Sequence, residues 1–172
     1  FDIRSVIDDA AEGNFINFIG EGIAATQIAP GNWVGSLSQL QGTKGYWAIL
    51  DYPMNDFSFD FNSLFARIPE NIQYNPYYYI QSNKQAFYFI EDIGDLNIEK
   101  GDILLAYNND VLVGSRVYNG AYTDIPAMGY MDESTYGYLL EGDIPTFKVE
   151  KPSGEVLILE GNIPGFENNE IF

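Results

Sequence analysis

From Asn32 to Leu50 the chain reads Asn-Trp-Val-Gly-Ser-Leu-Ser-Gln-Leu-Gln-Gly-Thr-Lys-Gly-Tyr-Trp-Ala-Ile-Leu. Two short apolar runs, Trp33-Val34 with Leu37 and Tyr46 to Leu50, flank a polar span that holds Gly42, Thr43, Lys44 and Gly45. Aromatic and β-branched runs this short, punctuated by glycine, predict a strand, a turn and a returning strand. Both tryptophans lie here, and each can bury on the order of 150–250 Å² of apolar surface. The expectation is that both are core of a small β-domain, with Trp47 largely buried. The sharper alternative puts one of them on a ligand-binding face.

Ahead of that stretch, Asp2 to Glu12 is the one good helix candidate. Ile3, Val6, Ile7 and Ala10 fall at i, i+3, i+4 and i+7, Asp2 can cap the start, and Gly13 can end it. Phe15 to Ile19 reads as a strand, and Pro30-Gly31 as the turn into the Trp33 strand. Further on, Phe57, Phe59 and Phe61 alternate with Ser58, Asp60 and Asn62, the pattern of a half-buried strand. Residues 62–76 lose periodicity and hold Pro69, Asn71, Asn75 and Pro76, so a linker or long loop is expected there. The first unit is accordingly set at residues 1–66 and the second at 67–172.

In the second unit, Tyr77 to Ile80 and Ala86 to Ile90 are runs of strand length. Asp102 to Val117 predicts a hairpin turning at Asn108-Asn109-Asp110, since Asn and Asp tolerate the left-handed conformation a tight turn needs. Thr146 to Glu150 and Glu155 to Glu160 predict another around Pro152-Ser153-Gly154. The fold class expected is all-β: antiparallel β-sandwich-type modules with one short N-terminal helix. Asp124-Ile125-Pro126, Asp143-Ile144-Pro145 and Asn162-Ile163-Pro164 recur at regular spacing. Proline cannot donate to a ladder, so each is expected at a strand start or a sheet edge.

Charge narrows the company this chain can keep. Twenty-five acidic residues against eight basic ones give a formal charge of −17. Nucleic-acid binding needs clustered Lys and Arg, and anionic membranes repel the same surface. No apolar run is long enough for a transmembrane helix. Divalent cations, cationic partners or a saline milieu are favoured instead. The chain has no Cys and no His, which removes disulfides, the usual zinc sites and any triad built on imidazole.

Candidate metal ligands are Asp51 with Asn55 and Asp56, Asn108 with Asn109 and Asp110, and Asp132 with Glu133. Calcium takes six to eight oxygens from carboxylates, amides and backbone carbonyls. None of these clusters has EF-hand spacing. Solvated acidic turns are the plain alternative at each. Catalysis by paired carboxylates needs neither His nor Cys, but no motif selects a pair, and no enzymatic activity is expected. Sugar binding is the stronger rival, because aromatic faces on a sheet stack against pyranose rings. Tyr74, Tyr77, Tyr78 and Tyr79 are the candidate ligand-binding residues.

The pattern Trp33-Val34-Gly35-Ser36-Leu37, Leu40, Gly42-Thr43-Lys44-Gly45-Tyr46-Trp47 resembles the signature of a β-module that recurs in large secreted and cell-surface bacterial proteins, often upstream of type IX secretion sorting domains. Ile19 to Ala25, Gln85 to Glu91, Gly101-Asp102 and Gly142 to Lys148 fit the same pattern in order. The resemblance implies an extracellular or cell-surface, non-catalytic module and supplies no catalytic residues. The expected function is therefore structural or adhesive, self-associating into a fibre or surface assembly and stabilised by Ca²⁺. Its partners would be copies of itself or adjacent modules of a longer chain. A carbohydrate-binding accessory module that takes polysaccharide is the alternative.

In that module an apolar strand precedes the helix, whereas this sequence opens at Phe1. Either a neighbouring copy or preceding module donates a strand beside Phe15 to Ile19, giving an open fibre, or the sequence is cut from something longer. At the other end, Glu167 to Phe172 reads as a strand just beginning.

Overall fold

The computed structural model describes residues 2–59, 75–91, 94 and 96–172. The expected loop over 62–76 and the unit boundary near Arg67 lie largely or wholly outside the described residues, as do Phe61 and Tyr74. The chain divides into Phe1–Ile72 and Gln73–Phe172, and each unit is described by itself.

In the first unit the expected single helix is two short helices, α1 (Ile3–Val6) and α2 (Asp9–Glu12). Asp2 caps the first as expected. The break comes from Asp8, whose carboxylate accepts from the Ala10 N–H and so caps a second helix while Ile7 stays extended. A short acidic side chain that captures a nearby backbone N–H competes with helix continuation. Ile3, Val6 and Ile7 are nevertheless buried, so the apolar stripe works across the break.

Strands β1 (Phe15–Ile19), β2 (Ala24–Ala29), β3 (Asn32–Val34) and β4 (Trp47–Leu50) form one antiparallel sheet in the order β3-β2-β1-β4. The two runs around the glycine-rich span are strands but not partners. Trp33 pairs with Gln27 on β2, and Trp47 pairs with Ile19 on β1, at opposite edges of the sheet. β2 took the place beside β3 through the tight turn at Pro30-Gly31, where Gly31 has a φ of +74°. β1 therefore has a strand on each side within the chain. The donated-strand expectation fails there.

Burial separates the two tryptophans. Trp33 is 4% exposed, stands 5.5 Å from Phe18 ring to ring, and donates its indole N–H to Glu12 Oε1 at 3.1 Å. Trp47 is 51% exposed on an edge strand, contrary to expectation. Phe57 and Phe59 pack edge to face at 5.0 Å against this core, but in no ladder.

The second unit is a sandwich. One layer is the antiparallel sheet β10-β9-β6-β7, built from β6 (Ile103–Asn108), β7 (Val111–Val117), β9 (Thr146–Glu150) and β10 (Val156–Leu159). Both expected hairpins are here: Asn109 turns the first with φ +53°, and Gly154 the second with φ +84°. The other layer pairs β5 (Gln85–Ile90) with β8 (Thr123–Met128). Residues 169–172 add to the free side of β5, through Asn169 N–H to Gln85 O at 2.7 Å and Phe172 N–H to Phe87 O at 2.9 Å. Ala86, Tyr88, Ile125 and Ala127 of this layer share a core with Leu104, Ala106, Phe147 and Val149 of the other, and Tyr88 meets Phe147 at 4.9 Å. The molecule is thus all-β, of antiparallel sandwich type.

The run Tyr77–Ile80 forms no ladder; the Tyr77 N–H donates to Asn75 Oδ1 at 3.0 Å and the Ile80 N–H to a tyrosine hydroxyl described below. The three proline triplets have three different settings. Pro126 lies inside β8, Pro145 directly precedes β9, and Pro164 sits in irregular chain.

Candidate functional site

One end of the second unit gathers several of the residues singled out from sequence. The β6–β7 turn and the loop 130–140 are tied together by Asn108, whose Nδ2 donates to Gly137 O at 3.0 Å and Tyr138 O at 3.3 Å. Asn109 Nδ2 in turn donates to Asn108 Oδ1 at 3.2 Å. A third piece, residues 75–81, joins through the Ile80 N–H, which donates to Tyr138 Oη at 2.8 Å. Burial raises the Tyr138 phenol above its ordinary value.

The loop is stiffened by a 3₁₀ turn, Glu133–Thr135, closed by a capping box. Asp132 accepts from the Ser134 hydroxyl at 2.5 Å and the Ser134 N–H at 2.9 Å, and the hydroxyl bond is the main cause of its lowered pKa. Buried Thr135 accepts from Met131 N–H at 2.8 Å and Asp132 N–H at 3.1 Å. On this rigid frame Tyr78 and Tyr136 are 84% and 85% exposed. Two phenol rings displayed to that degree, on loops tied to the β6–β7 turn that carries the exposed Asn109 and Asp110, offer stacking faces and hydrogen-bonding groups to a polar ligand.

The remaining candidate tyrosines part company. Tyr77 lies over the outer face of the four-stranded sheet and donates its hydroxyl to Glu150, which pushes its pKa up to about 12. On the same sheet the Lys148 ammonium stands 4.5 Å from the Tyr107 ring centre, a cation–π contact. Tyr79 packs against the core, and burial raises its pKa. Consecutive tyrosines thus serve the sheet face, the surface and the core, and do not make one strip. Tyr74 lies outside the described residues.

The metal candidates divide similarly. Asp51, Asn55 and Asp56 are exposed residues of the first unit. There the organising side chain is Asn14, which sequence reasoning passed over. Its Nδ2 donates to Tyr52 O at 2.9 Å and its Oδ1 accepts the Tyr52 N–H at 2.9 Å, fixing the chain that leaves β4. The signal available was one buried-capable Asn between Gly13 and an apolar run, which is weak. Asn108, Asn109, Asp110, Asp132 and Glu133 belong to the loop end just described. Among the described residues no three acidic side chains come together as a metal-holding group. The oxygens near Asp132 are engaged in capping, and those near Asn108 in tying loops.

No helix of the described residues is long and apolar enough to cross a membrane. No family model, no curated protein and no solved structure matches this chain.

Proposed function

We propose that this chain is a non-catalytic structural or adhesion module of an extracellular or cell-surface protein, working through contacts with copies of itself or with adjacent modules of a longer chain. The observation that carries the reading is β10. Among the described residues it is an edge strand of the sandwich, and its Val156 and Ile158 are 51% and 58% exposed. An apolar strand with an open hydrogen-bonding side is a template for another strand. The resemblance to recurrent secreted β-modules supports the same reading. Calcium enters it as a stabiliser, with the exposed Asn109, Asp110, Asp132 and Glu133 as the oxygen donors to be tested.

Sedimentation and negative-stain microscopy at low and physiological salt test this. Salt-promoted oligomers or fibres support it, because screening relieves repulsion between chains of charge −17. A monomer at high concentration in both salts, together with turnover of a glycosidic or peptide substrate, overturns it.

A second reading, a carbohydrate-binding accessory module, is favoured by Tyr78 and Tyr136 alone. Retention on insoluble polysaccharide that is lost in Tyr78→Ala and Tyr136→Ala supports that reading, and unchanged retention in both variants removes it.

A further inference from the structure

The edge of β10 carries more information than its exposure. Lys151 N–H donates to Glu155 O at 2.9 Å, and Leu157 and Leu159 stand opposite Val149 and Phe147. Antiparallel pairs alternate between residues that exchange both backbone bonds and residues whose bonds face away. The Lys151–Glu155 bond sets the phase, so Leu157 and Leu159 bond to β9. The N–H and C=O of Val156 and Ile158 point away from β9, to the side where no strand pairs among the described residues. The other edge of this sheet is different, for Val113, Gly114 and Ser115 of β7 are buried.

The charges at the two ends of β10 select what can lie there. Glu155 and Glu160 bracket the strand, both exposed, and among the described residues neither is in an ion pair. The nearby cations are turned elsewhere. Lys148 lies over Tyr107, and Lys151 Nζ donates to Asn97 O. A second copy laid antiparallel along β10 would set its own Glu155 and Glu160 against these carboxylates, and each copy carries −17. Like charges directly opposite oppose pairing.

We propose that the open side of β10 is a strand-addition site for an extended segment of another chain or module, apolar at alternate positions and flanked by Lys or Arg. The inference rests on the reading of the chain as a contact module and names which of its partners this edge takes. The guest's backbone closes on Val156 and Ile158, its alternate side chains lie beside theirs on the outer face, and its flanking cations meet Glu155 and Glu160.

The test uses a synthetic Lys-Val-Thr-Val-Thr-Lys peptide and its Glu-flanked twin, with amide hydrogen exchange as the readout. The Lys-flanked peptide is expected to protect the Val156 and Ile158 amides, and the twin is not. Reversing the bracket with Glu155→Lys and Glu160→Lys should weaken the Lys-flanked peptide by about three- to tenfold, as loss of two exposed ion pairs does. Val156→Pro removes one outward N–H without touching the β9 ladder and should abolish protection at Ile158. Equal binding of both peptides, or protection confined to other strands, overturns the proposal. A chain that assembles with itself but ignores the peptide overturns this inference alone. A chain that binds the peptide but never assembles upholds the edge and refutes self-association.

Discussion

Pro126 stands directly opposite Phe87 in the β5–β8 pair, and the backbone of Phe87 faces the other way, its N–H to Glu170 O at 3.0 Å and its C=O from Phe172 N–H at 2.9 Å. That rung of the ladder asks nothing of the residue opposite Phe87, so a proline inside β8 breaks no bond to β5. The cost is transferred to residues 170–172, which must satisfy Phe87. Deleting them should free the Phe87 and Phe89 amides and unpack Phe172 from Tyr88, whose rings are 4.9 Å apart. Hydrogen exchange should then show fast exchange at those two amides. Unchanged protection would mean that the segment is dispensable.

The two tryptophans should respond oppositely to truncation. Trp33→Ala empties a site buried against Phe18 and orphans Glu12, and is expected to cost about 3–5 kcal/mol. Trp47→Ala, half exposed at an edge, should cost less than about 1 kcal/mol. Urea unfolding monitored separately for each variant distinguishes them, and equal losses would contradict the burial described.

Gly114 on β7 lies so close to β8 that an added Cβ would be 1.7 Å from the Pro126 carbonyl oxygen. Backbone cannot yield as a side-chain tip can, so Gly114→Ala should destabilise the second unit by more than about 4 kcal/mol. Gly42→Ala is the control: nothing lies within 4 Å of its Cβ and its φ is not positive. That change should stay within about 0.5 kcal/mol. A folded, stable Gly114→Ala chain would show that β7 and β8 are farther apart.

Alkali should weaken the second unit through its phenols. The bond to Glu150 raises Tyr77 from an ordinary value of 10.0 to about 12, and burial raises Tyr79, Tyr88, Tyr107 and Tyr138. A raised pKa means that the folded state holds its proton more tightly than the unfolded one. The stability it contributes is complete below about pH 10 and declines as pH rises through about 12 for Tyr77. Tyr77→Phe should remove that portion of the alkaline loss. An identical pH profile in the variant would show that the Tyr77–Glu150 bond is not made in solution.

Calcium and screening separate in one comparison. If an ion binds at the loop end, CaCl₂ raises the melting temperature more than NaCl of equal ionic strength, and Asp132→Ala reduces the difference. Coincident curves in the two salts remove the bound ion.

What the sequence made legible was local. Asn108-Asn109-Asp110 and Pro152-Ser153-Gly154 announce their hairpins because turn chemistry resides in the turn residues themselves. Pairing across distance was not legible. Trp33 and Trp47 both sit in short aromatic-apolar runs, and nothing local says that one packs on Phe18 while the other stays half exposed at the opposite edge of the sheet. Asp8 offered both helix continuation and recapping, and its hydrogen bond to Ala10 chose the second. Tyr77, Tyr78 and Tyr79 are indistinguishable in sequence, and their fates follow from Glu150, open water and the core. Asp132 is a metal-ligand candidate for the same reason that it caps well: it is a short carboxylate at a chain reversal.

The segment that closes on β5 also orders events in time. Gln85 bonds to Asn168 across 83 residues of sequence, whereas β6–β7 and β9–β10 each meet their partner across a short turn. On a ribosome the two hairpins can form as they emerge. β5, made before both, must wait with one side bare until residues 168–172 have left the exit tunnel. During that interval the nascent chain shows a bare strand that the finished fold hides, and vectorial synthesis makes this unit dependent on whatever shields β5 meanwhile.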